Sequence, residues 1–462
     1  MWKSDGTPTG TIMVGGGSYP SWLTIANGNL FFSADDDSHG TELWKSDGTP
    51  TGTIMVKDIN PAGSSSPRSL TDVNGTLFFR ALDESSGDEL WKSDGTLTGT
   101  VMVRDIWPGS NHSGPSYLTN MNGTLFFGAD DGGNGKELWK SDGTLTGTVM
   151  VKDINPGGSS FWLDSSLINV NGTLFIIADD GSNGIELWKS DGTLTGTVIV
   201  KDINPGNASS NLSNLTNVNG ALFFGADDGS NGYELWKSDG TLTGTVMVRD
   251  INPGNGSSSP SDLASVGDVL FFRANDGSNG WELWKSDGTL TGTTMIKDIW
   301  PAGSSFPINL INVDGTLFFS AADNSHGREL WALAAADLTS TKTVTPSEAT
   351  PGQPITYTLH ITNTGIVDLH ATITDTLPLS VTLRETCGTT LTLPSGMLGI
   401  TWTATVTAPS GAWVETVVVI VDEGSMGPLT NLMEVITKEG VTGSARVTAN
   451  PYKVYLPVVV RN

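Results

Sequence analysis

Cysteine is almost missing from this chain: Cys387 is the only one in 462 residues. A single thiol excludes an intrachain disulfide and any CxxC metal site. No apolar run is long enough to cross a bilayer as a helix, so no membrane span is expected. Basic residues are scarce too. Lys and Arg number 24 against 49 Asp and Glu, a formal charge of −25. Most of the excess lies in residues 1–335, which carry 39 acidic and 18 basic side chains. Such a surface repels phosphate backbones, which argues against nucleic acid as a partner. The five histidines (His39, His112, His326, His360, His370) are scattered, although His39 and His326 occupy equivalent turn positions. No G-x-S-x-G elbow, H-E-x-x-H helix or phosphate loop is present. Helical periodicity is also missing: no helix-sized window sustains a 3.6-residue apolar repeat, so the expected fold class is all-β.

What the chain has in abundance is repetition. Glu-Leu-Trp-Lys-Ser-Asp-Gly-Thr recurs with its tryptophan at Trp2, Trp44, Trp91, Trp139, Trp188, Trp236, Trp284 and Trp331. Successive separations are 42, 47, 48, 49, 48, 48 and 47 residues. A fixed period in the forties is typical of propeller blades. One unit, Asn155 to Ile203, reads as four strands. Leu167–Val170 and Thr173–Ile177 flank Asn171-Gly172, the strongest short hairpin signal, because both turn residues tolerate positive φ. Equivalent turns lie at Asn27-Gly28, Asn74-Gly75, Asn122-Gly123, Asn219-Gly220 and Asp314-Gly315, with Gly267-Asp268 expected to fit the same geometry. The third strand is Ile185–Ser190 and the fourth runs over 197–203, after Asp191-Gly192-Thr193. Phe and Leu of the second strand and Trp of the third supply large side chains for wedging between blades.

The ends bear on closure. Residues 1–14 supply only a third and fourth strand, and about 308–331 supply a first, second and third. Joining them predicts a seven-bladed β-propeller over 1–335 with a composite closing blade. Met1-Trp2 enters the motif without its Glu-Leu, and no charged or apolar leader precedes it. Two explanations stand: a true start on a split repeat, or an incomplete N-terminus with an eighth blade missing.

These residues resemble the bacterial ELWxxDGT repeat family over 1–331, with Lys-Ser at its two variable positions and the final Asp-Gly-Thr lacking. The resemblance implies a propeller-like fold in an exported protein, and hence an extracellular or cell-surface location. It implies no reaction. From about Leu338 the composition turns to Thr- and Val-rich alternation, with strand-like runs at 399–406, 412–421, 431–437 and 444–449. The Pro351-Gly352…Thr356-Tyr357…Asn363-Thr364-Gly365…Asp375-Thr376-Leu377-Pro378 pattern resembles the Ig-like conserved-repeat domain of bacterial surface proteins. It implies a β-sandwich spacer or adhesion module over 336–449, followed by a short apolar tail, 450–462.

Candidate site residues cluster on one loop face. An Asp lies six residues before the motif Glu in every copy: Asp36, Asp83, Asp131, Asp180, Asp228, Asp276 and Asp323 precede Glu42, Glu89, Glu137, Glu186, Glu234, Glu282 and Glu329. Two readings stand. Each Asp–Glu pair could serve calcium, a hard cation that seeks several oxygens, although the spacing is not that of an EF-hand. Otherwise each Asp accepts backbone N–H groups in a tight turn and each Glu braces its hairpin or the next blade. The position just before each Glu varies (Thr41, Asp88, Lys136, Ile185, Tyr233, Trp281, Arg328); this is either neutral surface variation or a means of tuning binding to a glycan or a surface protein, with Tyr233 and Trp281 as candidate stacking platforms. The expected function is non-enzymatic binding or display, with no cofactor beyond the calcium alternative. Two alternatives are kept: a calcium-dependent lectin-like protein, and a carbohydrate-active propeller enzyme (glycoside hydrolase or lyase), for which nothing singles out a carboxylate pair.

Overall fold

The computed structural model describes residues 1–162, 166–334, 337–365, 368–386, 389–392, 397–407, 411–423, 428–438 and 441–451. Cys387 and the apolar tail from Tyr452 onward lie outside them. All regular structure among the described residues is β-strand. The chain divides into two compact units. One holds Met1–Ser261 with Ala274–Gly280 and Thr289–Thr293; the other holds Asp262–Arg273, Trp281–Gly288 and the chain from Thr294 onward.

The repeat produces six four-stranded antiparallel meanders, each with strands in chain order, followed by a three-stranded one. The type unit forms Leu167–Val170, Thr173–Asp179, Ile185–Ser190 and Val198–Lys201, close to the spans read from its sequence. Its hairpin turn has Asn171 at φ 51° and Gly172 at φ 85°, the two left-handed residues that a type I′ turn requires. In the hairpin turn of the sixth sheet Gly267 (φ 57°) is left-handed and Asp268 is not, so Gly267-Asp268 departs from the expected geometry.

Apolar cores form where one sheet meets the next. Phe31, Leu43, Val56 and Ile59 of the first sheet share a buried cluster with Leu70, Leu77, Phe79 and Trp91 of the second. The same interdigitation recurs between second and third, third and fourth, and fourth and fifth sheets. Trp91, Trp139, Trp188 and Trp236 are thus wedges against the preceding sheet, with Trp139 only 4% exposed. Burying a large apolar side chain of this kind stabilises by roughly 1.5–3 kcal/mol.

Polar straps reinforce these junctions and account for other motif residues. The motif lysine reaches the next sheet: Lys45 Nζ donates to Gly95 O (2.7 Å), and Lys140 Nζ to Gly192 O (2.9 Å). The basic residue ending the fourth strand does likewise. Lys152 Nζ donates to Thr197 O (2.8 Å) while lying 5.4 Å from the Trp188 ring centroid. The Asp-Gly turn glycine is left-handed and lies under the preceding sheet's phenyl tip: a Cβ on Gly192 (φ 86°) would stand 2.9 Å from Phe126 Cζ. Within the same turn Asp191 Oδ1 accepts from Thr193 N (2.8 Å) and Thr193 Oγ1 (2.7 Å).

The strands expected in the composite closing blade belong to two different sheets. Trp2–Lys3 pairs only with Ile12–Met13, as an isolated two-stranded sheet. The last sheet is Ile308–Val313, Thr316–Asp323 and Gly327–Ala334. The reason lies in the register. Phe319 already faces Trp331 across the edge that the N-terminal third strand would need. Trp2 and Trp331 are both third-strand residues, and one edge accepts one partner. Trp2 is accordingly 67% exposed.

Residues 338–451 form two sheets over one buried core. The four-stranded sheet orders Leu338–Thr345, Pro354–Asn363, Ala412–Val421 and Val381–Glu385. The six-stranded sheet contains Leu369–Thr376, Leu398–Val406, Leu429–Thr437 and Thr442–Pro451, with two short strands at its edges. Period-two burial along Pro354–Asn363 places Ile355, Tyr357, Leu359 and Ile361 inside, as the alternating sequence requires.

Candidate functional site

The motif glutamates are fully buried in the six complete sheets and anchor the linker that leads to the following sheet. Glu234 Oε2 accepts from Ile251 N (2.9 Å) and Ser258 Oγ (2.6 Å), while Oε1 accepts from Ser258 N (2.8 Å). Glu42, Glu89 and Glu282 bind the equivalent three donors, and Glu137 and Glu186 bind both backbone amides in the same way. Burial pushes Glu89, Glu137 and Glu186 up to about 7, against the lowering effect of these donors, and raises Glu42 and Glu234 as well. Glu329, in the three-stranded sheet, is exposed, because no linker of this kind follows it.

The loop aspartates satisfy their own turns. Asp180 Oδ1 accepts from Ser182 N (2.9 Å) and Asn183 N (2.8 Å), and Oδ2 from Asn183 Nδ2 (2.7 Å). Asp131, Asp228 and Asp276 repeat this pattern with Asn134, Asn231 and Asn279. In the first and last loops His39 and His326 replace the Asn, with Nδ1 at 2.8 Å from Asp36 Oδ2 and 2.9 Å from Asp323 Oδ2. Hydrogen bonds from His39 hold Asp36 at about 2, and those from His326 hold Asp323 well below the usual carboxylate range. The Asp83 carboxylate accepts from Ser85 N and Oγ. Asp and Glu therefore serve separate turns. Among the described residues no group of three His, Cys, Asp or Glu side chains is placed to hold a metal ion.

In four of the seven sheets the position before the glutamate contacts the residue eight positions upstream on the second strand, a position that also differs between copies (Ser33, Arg80, Gly128, Ile177, Gly225, Arg273, Ser320). Arg80 Nε donates to Asp88 Oδ2 (2.6 Å). Arg273 lies 5.2 Å from the Trp281 ring centroid. Arg328 Nη1 donates to Ser320 O (3.2 Å) and to Phe306 O (3.0 Å). At Gly225 a Cβ would collide with the Tyr233 phenol, so the glycine makes room for the ring. Tyr233 hydroxyl bonds Ser213 Oγ. Tyr233 is therefore laid down against its own sheet, which does not suit the stacking platform expected from the sequence.

Trp281 sits in a layered cluster. Phe306, from the next linker, stacks on it at 6.4 Å and 23°, and Arg273 over the ring also pairs with Asp262 at 3.5 Å. Phe306 is 43% exposed and supplies the accessible aromatic face. A second cluster stands at the same linker position of the third sheet: Phe161 stacks on Tyr117 at 6.2 Å, with Trp162 exposed beside it. Sequence reasoning missed Arg273, Phe306, Tyr117 and Phe161. The available signal was co-variation among copies, Arg with Asp or Trp and Gly with Tyr at a constant spacing of eight.

The cavities are shallow. One of about 570 Å³ runs from Ile59 and Asn60 to the Asp83-Glu84-Ser85 turn, and an adjoining one of about 290 Å³ continues to His112.

No protein-family model matches the chain, and no curated protein does. Solved structures show limited likeness. The CARDB domain of a Pyrococcus furiosus protein, solved in complex with di-metal ions, is 16% identical with TM-score 0.19, over 26% of this chain and 91% of that one. An uncharacterized protein of Listeria monocytogenes EGD-e is 8% identical with TM-score 0.36, over 69% of this chain and 97% of that one. Prolyl oligopeptidase B from Galerina marginata is 10% identical with TM-score 0.38, over 75% and 56%. At these scores none of them bears on fold or function.

Proposed function

We propose that the chain is a non-enzymatic binding or display protein of a bacterial cell surface. In this reading the repeats are propeller blades that carry a variable recognition patch, and the C-terminal sheets are an Ig-like spacer. One observation carries it: in four of the repeats the residue before the motif Glu touches the residue eight positions upstream, and both positions differ from copy to copy, while the buried Glu and the Asp-Gly-Thr turn recur in all six complete sheets. The ligand class that fits the Trp281–Phe306–Arg273 cluster is a glycan. Sugar C–H faces stack on exposed aromatic rings, and such aromatic and Arg anchors dominate binding energy where they occur.

A glycoside hydrolase would need two accessible carboxylates flanking a bond. The buried glutamates are closed to solvent and held by backbone and hydroxyl donors, so their raised pKa follows from burial without any catalytic role. Glycan-array screening of the full chain, with and without calcium, tests the proposal. A hit weakened at least tenfold by Phe306→Ala or Trp281→Ala supports it. Binding indifferent to both variants and to Tyr117→Ala refutes the assignment of the patch, and dependence on calcium would restore the lectin-like alternative.

A further inference from the structure

Inside the C-terminal module three polar side chains meet in an otherwise apolar core. Lys342 stands on Leu338–Thr345 of the four-stranded sheet, and Asp375 and Asn431 on the adjacent strands Leu369–Thr376 and Leu429–Thr437 of the six-stranded sheet. The Lys342 and Asp375 side chains are both 0% exposed and bonded to each other, Nζ to Oδ1. Asn431 is equally buried; its Nδ2 donates to Asp375 Oδ2 at 3.3 Å, and its Oδ1 has no hydrogen-bond partner. The same carboxyl group thus bridges an amine on one sheet and a carboxamide on the other.

As a resting ion pair this arrangement is poor. An ammonium carries three donors, and Lys342 has one carboxylate oxygen as acceptor, with the Tyr357 ring centroid 5.3 Å away. Withdrawing both charges from water carries a desolvation penalty that one hydrogen bond does not offset. Burial lowers the Lys342 pKa and raises that of Asp375, so both shifts favour passing the proton to the carboxyl. What remains is an unprotonated amine, a nucleophile activated by desolvation.

We propose that Lys342 and Asn431 join in a self-catalysed isopeptide bond, with Asp375 as the acid–base catalyst. Lys342 Nζ forms a bond to Asn431 Cγ, and the Cγ–Nδ2 bond breaks. Asp375 takes a proton from Nζ and delivers one to Nδ2, the atom it already touches, which departs as ammonia. Of the three protons on the starting ammonium, one leaves with ammonia, one stays on the new amide and one remains on Asp375. The charges cancel before and after, and no oxidant or co-reactant is needed. The product replaces a buried ion pair by a neutral amide. It also ties the two sheets covalently in a chain whose single cysteine allows no intrachain disulfide, which suits a module exposed to mechanical load or proteolysis.

Intact-mass spectrometry of the folded full chain, followed by tryptic mapping, tests this directly. The expected mass is that of the sequence less one ammonia, with a branched peptide linking Lys342 to Asn431. Lys342→Arg and Asp375→Ala should each restore the full mass and abolish the branch. An unmodified mass in the folded wild-type chain overturns the proposal, and this result requires no variant to fold. Loss of water with a branch at Asp375 overturns the assignment of Asn431 as acceptor. Loss of ammonia without a branched peptide, as from a succinimide at an Asn-Gly turn, overturns it as well.

Discussion

Replacing Glu186 by Ala removes the acceptor for Ile203 N (2.9 Å), Ser210 N (3.1 Å) and Ser210 Oγ (2.8 Å). Ile203 and Ser210 are buried, so water does not substitute freely. The hydroxyl keeps an alternative acceptor in Ile185 O at 3.3 Å and should add little. Ser210 N likewise keeps Ile185 O as an acceptor at 3.1 Å, so Ile203 N is the amide left stranded, at a local cost of about 1–3 kcal/mol. Cooperativity along a repeat array need not be two-state, so a single melting temperature is the wrong measure. Native-state hydrogen exchange across 201–212 is the better one. A loss of about 2 kcal/mol accelerates exchange at Ile203 roughly 30-fold. Glu329→Ala serves as the control: the same motif position, but exposed and without a linker to hold. It should stay within about 0.5 kcal/mol of wild type. Equal effects at Glu186 and Glu329, or unchanged exchange at Ile203, would refute the view that the glutamate exists to anchor the linker.

The raised glutamates also fix the sign of a pH effect. With a folded pKa near 7 for Glu89, Glu137 and Glu186 against 4.5 otherwise, the folded state binds more protons between those values. Their contribution to stability is complete below about 4.5 and is lost as pH rises through 7. Exchange at the linker amides should therefore quicken, relative to its intrinsic rate, from pH 5 to pH 8, and Glu137→Gln should flatten that slope in its own linker; a slope of opposite sign contradicts the burial argument. Gly192→Ala meets both a φ of 86° and a phenyl carbon at 2.9 Å. It should destabilise the junction by more than about 1 kcal/mol, read as a lower denaturant midpoint, whereas neutrality would show that the turn and Phe126 yield easily. Lys152→Met keeps most of the stem packed on Trp188 but loses the bond to Thr197 O. A cost of about 1 kcal/mol is expected, and a stabilised variant would show the strap to be dispensable.

Sequence alone determined the strand pattern of the repeat. Asn-Gly turns, period-two runs and a fixed spacing near 48 residues are local signals, and local backbone preferences obey them. It also determined that large apolar side chains would wedge together, because a half-apolar sheet must bury that face. Three things came only from tertiary structure. The N-terminal strand pair and the last three strands of the repeat belong to different sheets, with Gly327–Ala334 as the third strand of the latter. The Asp and Glu of each loop, six residues apart in sequence, serve different turns because the linker amides reach the Glu first. And Lys342, Asp375 and Asn431, unremarkable in three separate strands, become a reactive set only where two sheets close over them and exclude water.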